Sequence, residues 1–245
     1  MGRFEGKVAL VTGSSSGIGE ATVRALDAEG ARVVVNSSSS VEAGEAVAGS
    51  LADGAYVQGD ISHPGDCEKL VAATVERFGR LDVLVNNAGV TQVIPHEDLD
   101  AVTDEVFRRI LEVNVMGTWR LTRLAMPHLK ADGGGSVVNV SSIAGLRPLG
   151  SSIPYGVSKA AINHMTTMLA KVTGPEVTVN AVAPGLIRTP WTEDWPHHQF
   201  VPDLAPAGRS GEPDDVASVV LDLAASAYVT GQVVVIDGGL TLTTT

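Results

Sequence analysis

The sequence predicts a doubly wound α/β fold, in which helices cover both faces of a seven-stranded parallel sheet. Three observations point to it. Seven short apolar, β-branched runs alternate with longer segments of helical period. Within each run the apolar residues are continuous rather than alternating, as strands buried on both faces require. The first run also leads through a glycine-rich turn into a helical segment, and open α/β sheets place their ligands at the carboxyl ends of such strands. The length of 245 residues fits one large domain spanning 1–245 and is short for two.

The runs are Val8–Val11, Val33–Val35, Ala55–Val57, Leu81–Val85, Val137–Val140, Val177–Ala183 and Val233–Ile236. The turn after the first run reads Thr12-Gly13-Ser14-Ser15-Ser16-Gly17-Ile18-Gly19. Glycines there let backbone N–H groups approach a pyrophosphate at a helix N-terminus. The following helix is predicted to bury Ile18, Ala21, Thr22, Ala25 and Leu26 and to stop at Gly30. The second run ends in Asn36-Ser37-Ser38-Ser39-Ser40 with no acid before Glu42. An acid at that place would bind an adenosine ribose 2′-hydroxyl and repel a 2′-phosphate. Neutral donors favour NADP(H), while a plain polar loop also accepts NAD(H).

The third run ends at Gly59-Asp60-Ile61, where Asp60 either accepts from an adenine amino group or caps the helix that begins near Pro64. The fourth ends in Asn86-Asn87-Ala88-Gly89, small enough for a cofactor to lie close over the sheet. A long helical pattern, 103–130, holds Asn114 between two valines. Asparagine prefers caps and turns, so a buried amide with a polar task is expected there.

Composition excludes several classes of function. The hydrophobic fraction of 44% and charged fraction of 18% describe a globular chain. A net charge of -11 without a basic patch argues against nucleic acid and against membrane binding through a polybasic segment. One cysteine, Cys67, excludes an intrachain disulfide and a Cys-based metal cluster. His197-His198 lacks further ligands at metal spacing, so no metal site is expected. The strand-like run at 7–11 leaves no room for a signal peptide, and no apolar run is long enough to span a bilayer, so a cytoplasmic protein is expected.

The reactive constellation lies between Ser142 and Lys159. Tyr155 and Lys159 are four apart, so on a helix both project from one face. A phenol of pKa near 10 is a poor base at neutral pH. An ammonium one turn away favours the phenolate and makes a tuned acid/base of the pair. Ser142 closes the fifth run, and strand alternation turns only one of Ser141 and Ser142 toward a site.

Taken in order, these motifs resemble those of the short-chain dehydrogenase/reductase family in its single-domain form, with similarity to 3-oxoacyl-ACP-reductase-like members. The resemblance covers Thr12-Gly-x-x-x-Gly-Ile-Gly19, Asp60, Asn86-Asn-Ala-Gly89, Asn114, Ser142, Tyr155-x-x-x-Lys159 and Pro184-Gly-x-Ile-x-Thr189. It implies a Rossmann fold with Tyr155 as general acid or base and Ser142 as stabiliser of the reacting oxygen. It implies that Lys159 lowers the Tyr155 pKa and binds the nicotinamide ribose, and that Asn114 holds a water for proton return. Gly13, Ser15, Ser16, Gly17, Ile18 and Gly19 would carry the pyrophosphate and its neighbourhood. Asn36, Ser37, Ser38, Asp60 and Ile61 would face the adenosine end. Asn87, Ala88 and Gly89, then Pro184, Gly185, Ile187 and Thr189, would follow the cofactor to its nicotinamide. The family analogy also implies a homotetramer in which the helices carrying Asn114 and Tyr155 face partner subunits.

Three features depart from the family pattern. Ser16 stands where many NADP-dependent members carry Arg or Lys. The loop 174–177 is shortened and lacks basic residues, which suits an acidic carrier protein poorly. The stretch before Thr230 is also shortened. The segment from about 186 to 207 is expected to form a substrate lid, and its Trp191, Trp195 and Phe200 favour an apolar substrate or pack the lid itself. Gln92, Val93, Ala144, Leu149 and Ser152 are further substrate candidates by position. The expected activity is interconversion of a ketone and a secondary alcohol. The alternatives are 3-oxoacyl-ACP reduction and a non-catalytic nucleotide sensor.

Overall fold

The computed structural model describes residues 2–243. Seven strands form one sheet: β1 Val8–Val11, β2 Arg32–Ser37, β3 Gly54–Gln58, β4 Val83–Asn86, β5 Gly135–Val140, β6 Val177–Pro184 and β7 Val233–Ile236. Their spatial order is β3-β2-β1-β4-β5-β6-β7, and every pair is parallel. The order reverses between β1 and β4, so a crevice opens at their carboxyl ends. The expected doubly wound Rossmann architecture is present.

The continuous apolar strands feed two cores because successive side chains point to opposite faces. Ala9, Val11, Val33, Val35, Val83 and Val85 meet Val23 and Leu26 of α1 (Gly17–Ala28) and Val216 and Val220 of α8 (Pro213–Ala225). Val8, Leu10, Val34, Leu84, Val137 and Val179 meet Leu70 of α3 (Pro64–Phe78) and Leu121 and Leu129 of α5 (Thr118–Leu129). Strand β7 departs from the expected two-sided cover: it lies at the sheet edge and Val235 is exposed.

Local differences from the sequence expectations have physical causes. The buried stripe of α1 is Gly19, Thr22, Val23 and Leu26, rotated from the expected one because Ile18 and Ala25 sit at its margin. Gly30 takes φ +91°, as a residue just past a helix does. β2 runs on through Asn36 and Ser37, so these belong to the strand and not to the loop. The pattern over 103–130 is not one α-helix. It divides into α4 (Asp104–Leu111), a π-helical turn (Glu112–Gly117) and α5, and Asn114 sits in the π turn. Such turns re-aim side chains out of the regular helical register. No helix among the described residues is long and apolar enough to cross a membrane.

Candidate active site

The cleft at the carboxyl ends of the strands measures about 970 Å³. Its first part is the turn between β1 and α1. Gly13 and Gly17 take φ +61° and +57°, which a side chain strains. A Cβ on Gly13 would lie 2.9 Å from the Ala88 Cα, and one on Gly19 would lie 2.6 Å from the Asn87 amide nitrogen. The turn is pinned from both neighbouring strands. The Gly13 N–H donates to Asn36 Oδ1 at 3.2 Å, and Asn87 Nδ2 donates to the carbonyls of Thr12 and Gly13 at 2.9 and 2.8 Å. Ser16 precedes α1 with extended backbone and makes no side-chain cap. The first amides of α1 therefore face the cleft without a capping oxygen, beside glycines whose missing Cβ atoms leave room. That combination fits the pyrophosphate of a dinucleotide.

At the adenosine end, Asn36 and Ser37 line the cleft with side chains already committed to the protein. Asn36 Nδ2 donates to the carbonyls of Val57 and Gly59 at 3.1 and 3.0 Å, and Ser37 Oγ donates to the Ser40 carbonyl at 3.0 Å and lies 2.8 Å from the Tyr56 hydroxyl. Ser38, Ser39 and Ser40 are the exposed hydroxyls there. Asp60 does not cap α3, whose N-cap is His63. Its Oδ1 accepts from the Ser62 N–H and hydroxyl, and its Oδ2 accepts from Arg109 at 3.3 Å. Burial raises the Asp60 pKa, but the Ser62 and Arg109 hydrogen bonds outweigh it and leave the carboxyl below its ordinary value. Arg109, a cation on the cleft wall, was not legible in the sequence, because only the fold carries α4 to the end of β3.

The reactive end is assembled by β5, the π turn and α6 (Ile153–Thr173). Ser142 follows β5 and accepts from the Ala144 N–H at 3.2 Å, while Ser141 turns away and donates to the Lys159 carbonyl at 3.2 Å. Alternation thus separates the two serines as expected. Tyr155 is half-buried, and Trp191 stands edge-on to it with ring centroids 6.2 Å apart. Lys159 is 4% exposed, and its ammonium donates to the Val140 carbonyl at 2.8 Å and lies 5.5 Å from the centre of the Tyr155 ring. Asn114 is buried behind the cleft. It accepts from the Val90 N–H at 2.8 Å and donates to the Val90 carbonyl and the Ser158 hydroxyl, both at 3.0 Å. Its side chain thus clamps the strand-end loop to α6.

The expectation that Lys159 lowers Tyr155 is overtaken by burial. Removal from water pushes the phenol up to about 12, with only the Ser142 hydrogen bond pulling down. The same burial pushes the Lys159 ammonium down to about 8. In this arrangement Tyr155 is a protonated donor throughout the neutral range.

Every residue expected at the cofactor lines the cleft except Gly19, which packs behind it. Of the substrate candidates, Val93, Leu149, Trp191 and Trp195 line the cleft. Gln92, Ala144 and Ser152 do not: Gln92 points to solvent, and Ala144 and Ser152 are buried. Phe200, expected in the lid, lines the cleft as well, and Val201, Leu204 and Leu240 supply apolar wall that position alone did not reveal. Val201 and Ala205 are packed against Ile143 and Leu240, which holds segment 200–205 against the end of the sheet.

Comparison with known proteins places these features in context. A family model described as Enoyl-(Acyl carrier protein) reductase matches residues 13–241. A Streptomyces violaceoruber protein named for a ketoacyl reductase of the granaticin polyketide synthase is 57% identical over 239 residues, covering 96% of each chain. The 3-oxoacyl-[acyl-carrier-protein] reductase FabG of Thermotoga maritima is 40% identical over 98% of this chain and 100% of its own. The crystal structure of levodione reductase superimposes with a TM-score of 0.90 at 32% identity, over 98% of this chain and 100% of that one.

Proposed function

The chain belongs to the short-chain dehydrogenase/reductase family and is an NAD(P)-dependent oxidoreductase of small carbonyl and alcohol substrates, and we propose that its reaction is NADPH-dependent reduction of a bulky apolar ketone. The observation that carries this reading is the grouping of Tyr155, Ser142 and Trp191 at the mouth of β5, with the phenol held protonated. Gly89 and Ile187 are among the residues that would hold the nicotinamide, which when bound would supply hydride to the carbonyl carbon. Ser142 donates a hydrogen bond to the carbonyl oxygen and stabilises the charge that gathers there. Tyr155 delivers its proton to that oxygen, completing the secondary alcohol. Lys159, one helical turn along, steadies the phenolate left behind. Held protonated through the neutral range, the phenol is in the form from which a reduction begins.

The preference for NADPH rests on the three exposed serines after β2 and the absence of a carboxylate there among the described residues. The preference for a bulky apolar ketone rests on the walls of Val93, Leu149, Trp191, Phe200 and Leu204, several of them exposed to the cleft. In this reading residues 1–245 form one catalytic domain, and 186–207 its lid. The chain works in the cytoplasm as a homotetramer, a reading supported by exposed Trp119, Met168 and Val172 on α5 and α6. A second reading, reduction of a 3-oxoacyl thioester on a carrier protein, is favoured by the likeness to the two ketoacyl reductases. The net charge of -11 sets it behind the first, because an acidic carrier would be repelled.

The test is the initial rate of NADPH and NADH oxidation over a panel of apolar ketones, keto esters and one 3-oxoacyl thioester. Turnover of bulky ketones with NADPH is expected. Turnover confined to the carrier-bound thioester would overturn the first reading in favour of the second. Tight nucleotide binding without turnover of any member would point to a sensor.

A further inference from the structure

The segment over the cleft is fastened at two places. Its later part is held by apolar contact, through Val201 and Ala205. Its earlier part, the short 3-10 turn Pro196–Gln199, buries no residue. Among the described residues, its side-chain hydrogen bonds to the rest of the protein come from one imidazole. His198 Nδ1 lies 3.0 Å from the hydroxyl of Ser210, which is 1% exposed, and His198 Nε2 lies 3.3 Å from the hydroxyl of Thr192. Thr192 in turn is the hub of the turn after β6. Its hydroxyl donates to the Ile187 carbonyl at 2.5 Å and accepts from the Thr189 N–H at 3.3 Å.

We propose that His198 is a positioning residue that latches the lid to the nicotinamide-facing turn 187–189, so that substrate affinity depends on this neutral imidazole. The inference rests on the function proposed above. The donor pattern fixes the tautomer. Thr192 has one proton, and the Ile187 carbonyl, which can only accept, takes it. Nε2 must then carry the proton toward Thr192, and Nδ1 accepts from Ser210. Protonating Nδ1 removes the acceptor that Ser210 uses, in a place where its hydroxyl is buried.

The charged groups around the ring sharpen this. Arg188 faces it from the turn after β6, Glu212 from the start of α8, and His197 from its own turn. Burial first, and then Arg188, hold the imidazole below its ordinary value, against the opposing pull of Thr192 and Glu212. A lowered folded value means that the latched lid prefers the neutral ring. The latch is therefore complete above the ordinary imidazole value of 6.5 and is lost as pH falls through the lowered one.

The experiment uses the full chain with NADPH and a bulky ketone that it turns over. For His198→Ala the ketone KM is expected to rise roughly tenfold, the scale of two lost hydrogen bonds, with kcat and the NADPH Kd within about twofold of the parent. His198→Gln restores a donor to Thr192 without a titrating ring. It should recover most of the KM and abolish the rise in KM toward acid pH that is expected of the parent. Ser210→Ala should give an intermediate rise. Hydrogen exchange of the amides of 192–204, measured with NADPH and independent of turnover, should be faster in His198→Ala than in the parent. Unchanged KM and unchanged exchange in His198→Ala would overturn the latch, as would an acid rise in KM that persists in His198→Gln. Absence of ketone turnover by the parent would sink the proposed function alone, and the exchange comparison would still decide the latch.

Discussion

Replacing Lys159 by methionine should make the protein more stable and inactive at once. Lys159 is 4% exposed, and its one hydrogen-bond partner among the described residues is the Val140 carbonyl. No carboxylate pairs with it, so the buried ammonium is poorly compensated. Burial lowers its pKa from 10.5 to about 8, which corresponds to about 3 kcal/mol of lost preference for the charged form. Losing the bond to Val140 costs about 1 kcal/mol in return. Methionine fills a similar volume, so a net gain of about 2 kcal/mol is expected at pH 7, or roughly 4–8 °C in Tm for a chain of this size. The sign follows from linkage. Below pH 8 the folded lysine is charged and the full penalty applies. Between pH 8 and 10.5 the folded protein sheds the proton while the unfolded chain keeps it, so the parent gains stability as pH rises. The advantage of Lys159→Met should therefore shrink nearly to zero by about pH 10. Denaturant unfolding of both proteins at pH 7 and pH 10, without added nucleotide, measures it. A variant less stable at pH 7, or a difference that does not change with pH, would refute the reasoning that an uncompensated ammonium is kept here for chemistry and against stability.

Tyr155→Phe should bind NADPH normally by fluorescence titration and lose about 10²- to 10⁴-fold in turnover, since it removes the proton donor and little else; near-normal turnover would remove the mechanism. Ser142→Ala should lower kcat by about 10²- to 10³-fold and leave the midpoint of thermal unfolding nearly in place, because among the described residues the one backbone partner of its hydroxyl is the Ala144 N–H. Asn114→Ala should do the reverse in emphasis. It removes three hydrogen bonds to Val90 and Ser158, worth about 3 kcal/mol together, and differential scanning calorimetry should show a fall of several degrees. A variant as stable as the parent would mean that the clamp contributes nothing to the fold.

What the sequence determined by itself is the part of the molecule encoded locally. Continuous valine runs announced buried parallel strands, because parallel sheets are covered on both faces. The positions of Gly13 and Gly17 announced the turn, because only glycine accommodates its positive φ so close to Ala88 at the first and Thr189 at the second. The i, i+4 spacing put Tyr155 and Lys159 on one helical face, strand alternation turned only one of Ser141 and Ser142 toward a site, and the family spacing selected Ser142. Tertiary structure decided whatever depends on residues distant in the chain. Asn36 and Ser37 looked available to a cofactor but are engaged by β3 and its ends, which only the strand pairing brings alongside. Asn114 faces the Val90 loop because a π turn interrupts its helix, a defect that no periodicity announces. Arg109 reaches Asp60 across 49 residues of sequence. Gln92 and Ser152, plausible wall residues by position, miss the cleft, while Leu240 near the far end of the chain lines it. The pKa values of Tyr155 and Lys159 were decided the same way. Spacing sets their distance, but the surrounding protein sets how much water each one keeps, and burial moves the phenol up and the ammonium down.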